Sequence, residues 1–116
     1  MDNKLTKDII LKADDCKIES VDVPEWGGTL YLRVMKGTER DAFEAETYKD
    51  GKTDLKNFRS KLLVKTICDE KGSRIFSDDD AVLLGEKSAA VLDKLFDRVM
   101  TLNRFKKEDV DALVKN

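Results

Sequence analysis

The chain has 116 residues, a length that suits one domain with one hydrophobic core. Its hydrophobic fraction of 41% argues against a disordered chain, and 22 basic residues against 24 acidic ones do not form the basic footprint of a nucleic-acid binder. No apolar run is long enough to cross a membrane, and the first residues lack the apolar core of a secretion signal. We therefore predict a single domain over 1–116 that has no nucleic-acid or membrane partner.

The first third of the chain is predicted to form a short helical segment and a β-hairpin. Residues 1–13 contain apolar side chains at helical spacing, although the segment is short. Residues 17–23 and 29–35 have the character of strands, and the intervening Pro24 to Gly28 segment combines a fixed proline φ with two permissive glycines. An antiparallel hairpin over 17–35 would need helices to cover its apolar face. The second strand is predicted to place Leu30, Leu32 and Val34 on one face, and Tyr31, Arg33 and Met35 on the other.

The remainder, 38–115, is predicted to be predominantly helical and to pack against the hairpin, so the predicted fold class is α+β. Thr38 is a good N-cap for a helix that runs to about Lys49, with Phe43 and Tyr48 packed inward. A break at Asp50 and Gly51 separates it from the next helix. That second helix is expected to open at Thr53 or Asp54 and to place apolar residues on one side: Leu55, Phe58, Leu62 and Ile67.

The C-terminal part contains several helix start and stop signals. Ser77 is a predicted cap for a short helix that begins with Asp78–Asp80, and Gly85 should interrupt it. Ser88 can restart the helix, and Asn103 is a plausible stop. A last helix is predicted from about Lys107 to Val114. The strongest amphipathic stripe of the chain lies before that stop and comprises Leu92, Leu95, Phe96, Val99 and Leu102.

The residues offer no convincing catalytic or metal site. The chain has no histidine, which removes the commonest general base and zinc ligand. Without one, Cys16 and Cys68 lack an obvious activator, and we expect both to be free thiols, with Cys68 filling core. Asp78–Asp80 could suggest a divalent cation site, but adjacent carboxylates do not converge on one ion, so helix capping is the preferred interpretation. We therefore predict a non-enzymatic protein with no cofactor and no bound metal.

The corner between the two predicted strands holds the only tryptophan, Trp26. Trp26 could close one end of the hairpin core, with its indole N–H finding a partner. It could equally anchor a protein partner, because tryptophan is enriched at interface hot spots. The residues alone leave both interpretations open.

Two long stretches resemble the tail assembly chaperones of lambda-like long-tailed bacteriophages and prophages. The first joins an "ILKADD"-like opening at Ile10–Asp15 to a "V-P-E-W-G-G" corner and a "G-x-E-R-D-x-F-E" helix start, with matches from Val23 to Glu44. The second contains a "D-E-x-G-x-x-x-F" turn from Asp69 to Phe76 and continues through "K-S-A-A" to "LN". The resemblance thus covers nearly the whole chain.

The resemblance implies a non-enzymatic chaperone that binds and solubilises the long, helical tape measure protein and helps to recruit tail tube protein. It also implies self-association, action in the cytoplasm of the bacterial host, and absence from the mature virion. The alternative is a small structural or tail-completion protein that stays in the particle. The residues predicted to contact partners are Trp26, Gly27, Gly28, Arg33, Arg40, Phe43, Leu92 and Phe96.

Overall fold

A computed structural model of the chain describes residues 3–49, 51–53 and 56–105. The fold is α+β, as predicted, with a hairpin near the N-terminus and helices packed on it. The elements are α1 (Lys7–Lys12), β1 (Ile18–Val23), β2 (Gly28–Arg33), α2 (Gly37–Thr47), β3 (Tyr48–Lys49), β4 (Lys52–Thr53), α3 (Phe58–Thr66), β5 (Ile67–Cys68), α4 (Ala81–Leu84) and α5 (Ala89–Leu102), with 3₁₀ turns at Pro24–Trp26 and Asp78–Asp80.

The predicted hairpin is confirmed, and a third strand extends it. β1 and β2 pair antiparallel from Val23 opposite Gly28 to Ile18 opposite Arg33. β5 pairs antiparallel with the other edge of β2, so that the strand order is β1-β2-β5. The prediction that Ile67 belongs to a helix was therefore wrong. The chain leaves the helical conformation there because the free edge of β2 offers hydrogen bonds to an extended segment.

The core lies between this sheet and the helices, but one predicted face changes after the strand ends. Leu32 is fully buried and Leu30 packs against the core, as the alternation predicts. Met35, rather than Val34, then enters the core. The strand ends at Arg33, and the Met35 N–H donates to Asn103 Oδ1 at 2.7 Å instead of continuing the ladder. Beyond Arg33 the two-residue alternation of a strand therefore no longer determines which side chain is buried.

α2 begins and ends at other residues than the sequence suggests. Lys36, not Thr38, is its N-cap, and the Lys36 N–H donates to Glu39 Oε1 at 2.9 Å. The helix ends at Thr47, and the next two residues pair with β4 across a turn at Gly51. Tyr48 therefore points to solvent rather than inward. A side-chain cap from a residue further along the chain replaced the expected threonine cap.

The predominantly helical remainder also contains the short β3–β4 ribbon, which the sequence analysis did not predict. Of the residues expected to open the second helix, Thr53 lies in β4, while Asp54 and the predicted apolar residue Leu55 lie outside the described residues; α3 begins at Phe58. Its N-cap, Asn57, has a positive φ of 56°, a conformation that asparagine tolerates. The side chains that α3 buries include Leu62 and Leu63, both fully inaccessible.

The start and stop signals of the last part are confirmed. The Ser77 N–H donates to Asp80 Oδ2 at 2.9 Å, and Gly85 follows the end of α4. Ser88 and Asn103 flank α5 as its caps. The predicted helix from Lys107 to Val114 lies outside the described residues. Among the described ones, no helix is both long and apolar enough to cross a membrane.

Candidate partner-binding surface

The tip of the hairpin is a tight corner that requires one particular glycine. Pro24–Trp26 form a 3₁₀ turn, and the Gly27 N–H donates to the Pro24 carbonyl at 3.0 Å. Gly27 has a φ of +82°, which glycine adopts without a steric penalty. Gly28 has no positive φ and is the first residue of β2. Of the two predicted site glycines, Gly27 therefore shapes the corner.

Trp26 at this corner is neither fully buried nor fully exposed. Its side chain is 37% exposed and borders a shallow depression formed by Val23, Thr29 and Leu30. Within the described residues its indole N–H has no hydrogen-bond partner. Next to the corner, Lys94 Nζ on α5 donates an exposed hydrogen bond to the Asp22 carbonyl at 2.9 Å and so joins β1 to α5. Trp26 is thus partly packed and partly presented to solvent.

Arg33 faces away from Leu32, as the alternation predicts, but it lies inside the protein. The side chain of Arg33 is almost fully buried, pairs with the Glu39 carboxylate and donates to the Lys65 carbonyl at 2.9 Å. Burial alone would raise the pKa of Glu39, but the hydrogen bonds from Arg33 and the Lys36 N–H hold it below its usual range. Arg33 therefore cannot contact a partner of the folded monomer directly, which corrects the expected accessibility.

A second ionic cluster lies nearby and involves a lysine that the sequence analysis missed. Lys65 is buried, and its Nζ lies 3.1 Å from Glu46 Oε1 and 3.0 Å from Asp78 Oδ1. Arg74 reaches the same Asp78 oxygen at 2.7 Å. The hydrogen bond from Arg74, opposed by partial burial and reinforced by Lys65, holds the pKa of Asp78 below its usual range. Asp78 therefore does more than favour a helix start, because its carboxylate joins its own 3₁₀ turn to Lys65 on α3 and to Arg74 in the loop before it.

Three of the predicted site residues lie on one aromatic row that crosses α2, α3 and α5. Ring centroids are separated by 6.4 Å between Phe105 and Phe43, 5.4 Å between Phe43 and Phe58, and 5.4 Å between Phe58 and Phe96. A guanidinium covers each end of the row, Arg40 at 4.0 Å from the Phe105 ring and Arg59 at 6.0 Å from the Phe96 ring. These contacts hold the helices together by burying aromatic surface.

The other predicted site residues are buried or half-buried rather than fully exposed. Phe43 is fully buried and Leu92 nearly so, while Arg40 and Phe96 are only partly exposed. Phe43 and Leu92 cannot reach a partner unless the domain opens. The predicted set thus separates into the hairpin tip, the ionic pair of Arg33, and the aromatic row with its adjoining core.

Two apolar surfaces were not recognised as surfaces from the sequence. α1 forms as predicted, but it buries no residue, and its apolar side chains are exposed. On α4, Val82 and Leu83 are 59% and 71% exposed. Neighbouring residues on a helix point about 100° apart, so Val82 and Leu83 could not both have faced the core. Two adjacent large apolar residues in a very short helix were therefore the sequence signal for an exposed apolar side chain. The exposed apolar side chains of the two surfaces are Leu5, Ile9, Ile10, Leu11, Ile75, Val82 and Leu83.

Comparison with known proteins identifies the family. A sequence model described as phage tail assembly chaperone matches residues 5–115. The chain belongs to this family. Its fold is also similar to the solved tail assembly chaperone of bacteriophage HK97, with a TM-score of 0.61 and 24% identity over 78% of this chain and 85% of that one. No curated protein matches.

Several motif residues of this family member have a structural task. Gly27 holds the corner, and Glu39 caps α2 while pairing with Arg33. In the later turn Gly72 has a φ of +88°, and Asp69 Oδ1 accepts the N–H groups of Lys71 and Ser73 at 2.8 and 3.0 Å. These backbone hydrogen bonds hold the pKa of Asp69 below its usual range. These motif residues thus stabilise the fold, whereas Trp26 remains partly exposed.

The described residues contain no group of three or more histidine, cysteine, aspartate or glutamate side chains that could hold a metal ion. Cys16 and Cys68 are both free, and Cys68 is buried, as expected for a core-filling residue. Burial raises the pKa of the Cys68 thiol. The geometry at Cys68 is therefore that of a packed thiol rather than an activated one.

Proposed function

We propose that this chain binds the tape measure protein and keeps it soluble, and that it helps to recruit tail tube protein during tail morphogenesis. It acts without catalysis, in the cytoplasm of the bacterial host, associates with copies of itself, and is not retained in the mature virion. The observation that carries the proposal is the exposure of ten large apolar side chains among the residues that the structure describes. An assembly chaperone needs such surface to cover apolar seams of its client.

The hairpin tip is the proposed client contact. Trp26 offers a large, partly desolvated ring, and tryptophan contributes strongly at protein interfaces. Its support is already ordered, because Gly27 fixes the corner and Lys94 ties the strand to α5. A pre-ordered anchor loses less entropy on binding than a mobile one. Many copies along one filament would add their individually weak contacts by avidity.

Co-expression with the cognate tape measure protein tests the proposal. The wild-type chain should move the tape measure protein from the pellet to the soluble fraction, and Trp26→Ala should reduce that fraction while the variant itself remains folded. Tyr48→Ala is the matched control, because Tyr48 is an exposed aromatic on the β3–β4 ribbon. If the wild-type chain leaves the client insoluble, the proposed function is wrong.

Protein analysis of purified virions tests the remaining claim. The proposed function requires that the chain be absent from particles that contain tape measure and tube proteins. Its presence at a fixed copy number would instead support the alternative of a small structural or tail-completion protein.

A further inference from the structure

The outer edge of β1 has no neighbouring strand among the described residues. The sheet order is β1-β2-β5, so β2 covers only one side of β1. The Val34 N–H donates to the Lys17 carbonyl at 2.9 Å, which places a hydrogen-bonded pair at the start of the β1–β2 register. Such pairs alternate along an antiparallel ladder, so every second residue from Lys17 turns its backbone groups toward β2. Ile18, Ser20 and Asp22 therefore turn their N–H and C=O groups outward.

One of these three residues has an outward partner in the described part of the chain. Lys94 Nζ on α5 donates to the Asp22 carbonyl at 2.9 Å, which agrees with the alternation. No hydrogen bond between described residues uses the outward backbone groups of Ile18 or Ser20, and both residues are exposed. Two N–H groups and two C=O groups thus form an open template on which an extended chain can pair.

The charge that an added strand would meet at this edge is positive. Lys94 lies at the open edge, and its contact there is an uncharged carbonyl. The carboxylates of β1 are directed elsewhere, because Glu19 pairs with Arg98 on α5. The Asp22 carboxylate accepts the hydroxyl of Thr29 on β2 at 2.9 Å, so it points away from the open edge. A carboxylate on an added strand would therefore meet an ammonium that has no acidic partner among the described residues.

The opposite face of an added strand would meet apolar surface. Ile18 lies on the outer face of the sheet, away from the buried Val21 and Val23, and is 38% exposed. Side chains alternate between the two faces of a strand, so one segment can place a carboxylate toward Lys94 and an apolar side chain beside Ile18. An alternation of acidic and apolar residues fits both contacts.

We propose that the outer edge of β1 binds an extended, acidic segment of another protein as an additional strand. The segment exchanges backbone hydrogen bonds with Ile18 and Ser20 and places a carboxylate at Lys94. Main-chain hydrogen bonds supply the affinity, and Lys94 supplies the preference for acidic chains. This edge is distinct from the exposed ring of Trp26, and the inference does not require that the tape measure protein is the client.

A short synthetic peptide that alternates glutamate with valine is the probe, and the full chain is the receptor. Fluorescence anisotropy of the labelled peptide should show saturable binding at low salt that weakens as salt is added. A peptide with lysine in place of every glutamate should bind several-fold more weakly. Equal binding of the two peptides, or no binding of the glutamate peptide, would overturn the inference.

Substitutions at Ser20 separate strand addition from simple charge attraction. Ser20→Pro removes the outward N–H, and proline is tolerated in an edge strand where that N–H faces solvent. The variant should lose peptide binding with unchanged circular dichroism, whereas Ser20→Ala, which keeps the N–H, should bind like the wild type. A folded Ser20→Pro variant that binds as tightly as the wild type would contradict strand addition.

Hydrogen exchange on the wild type tests the same contact without a substitution. Saturating glutamate peptide should slow exchange of the Ser20 amide, because that N–H becomes hydrogen-bonded to the added strand. Unchanged exchange at Ser20 in the saturated complex would overturn the inference.

Lys94→Gln tests the charge while keeping a donor for the Asp22 carbonyl. It should weaken binding of the glutamate peptide several-fold and reduce its salt dependence, and Lys94→Arg should bind like the wild type. Lys52→Gln, at an exposed lysine of β4, is the matched control. Tighter binding to Lys94→Gln would show that the lysine guards the edge against pairing and would overturn the inference.

Two further readouts separate this inference from the other proposals. Oligomers of the wild type that Ser20→Pro abolishes, without any binding of the peptide, would assign the edge to a second copy and overturn the inference. Client solubility on co-expression is independent of peptide binding: a wild-type chain that solubilises the tape measure protein but binds no glutamate peptide overturns only this inference.

Discussion

Valine substitutions at the two adjacent glycines of the corner should have opposite consequences. At Gly27 the φ of +82° is strained for any side chain, and more so for a β-branched one. A Cβ would meet no atom within 4 Å there, so the penalty is conformational rather than steric. We therefore expect Gly27→Val to lower the free energy of unfolding by about 1–3 kcal/mol.

Gly28→Val is the matched control. Gly28 is the first residue of β2, has no positive φ, and also leaves open space for a Cβ. Replacing a strand glycine with a β-branched residue reduces the entropy lost on folding, so its effect should lie between zero and a gain of about 1 kcal/mol.

Urea unfolding followed by circular dichroism measures the difference. The two variants should differ by about 1–4 kcal/mol, and because m is about 1–3 kcal/mol/M for small proteins, their urea midpoints should differ by roughly 0.3 to 4 M. Equal midpoints for Gly27→Val and Gly28→Val would refute the left-handed corner. A loss at Gly28 alone would show that the strand begins elsewhere.

Three further stability predictions follow from the interior. Phe43→Ala removes the centre of the aromatic row and should cost about 3–5 kcal/mol in a denaturant melt; a cost below 1 kcal/mol would contradict its burial. Lys65→Met keeps most of the volume and should destabilise less than Lys65→Ala, and the reverse order would show that packing of its stem is unimportant. When the pH falls below about 4, the urea midpoint should fall. The folded-state pKa values of Glu39 and Asp78 are depressed, so the unfolded state takes up protons first. If Asp78→Asn shows the same pH dependence of the midpoint as the wild type, the loss belongs to other groups.

The hairpin could be predicted because local chemistry decides it. Pro24 and Gly27 fix the corner, and the apolar alternation of β2 fixes the buried face as far as Leu32. Ser77 and Asn103 likewise acted as caps, because capping depends on a few adjacent residues. Element types and most boundaries in these places follow from the sequence.

The failures at Ile67, Arg33 and Lys65 come from tertiary contacts. Ile67 has helical spacing to its neighbours, but the open edge of β2 draws it into a strand. The alternation of β2 predicted which face of the strand Arg33 occupies, but it could not predict that the first turn of α2 covers that face. A residue expected at a partner surface is therefore buried against Glu39. Lys65 carried no local signal at all, since its partners Glu46 and Asp78 are distant in sequence. Pairing partners of this kind are set by the fold.

The candidate site was predictable only where a local sequence signal marks it. Trp26 was identified because a lone tryptophan in a tight corner is unusual, and the structure leaves part of it exposed. The exposed apolar surfaces on α1 and α4 were missed because each consists of ordinary apolar residues. Their exposure depends on which of them the core does not use, which only the packing of α1 and α4 reveals.

Co-expression with the tape measure protein tests the central claim most directly. The soluble fraction of that protein should rise when the wild-type chain is present, fall with folded Trp26→Ala, and remain high with Tyr48→Ala. A tape measure protein that stays in the pellet with the wild-type chain would contradict the account.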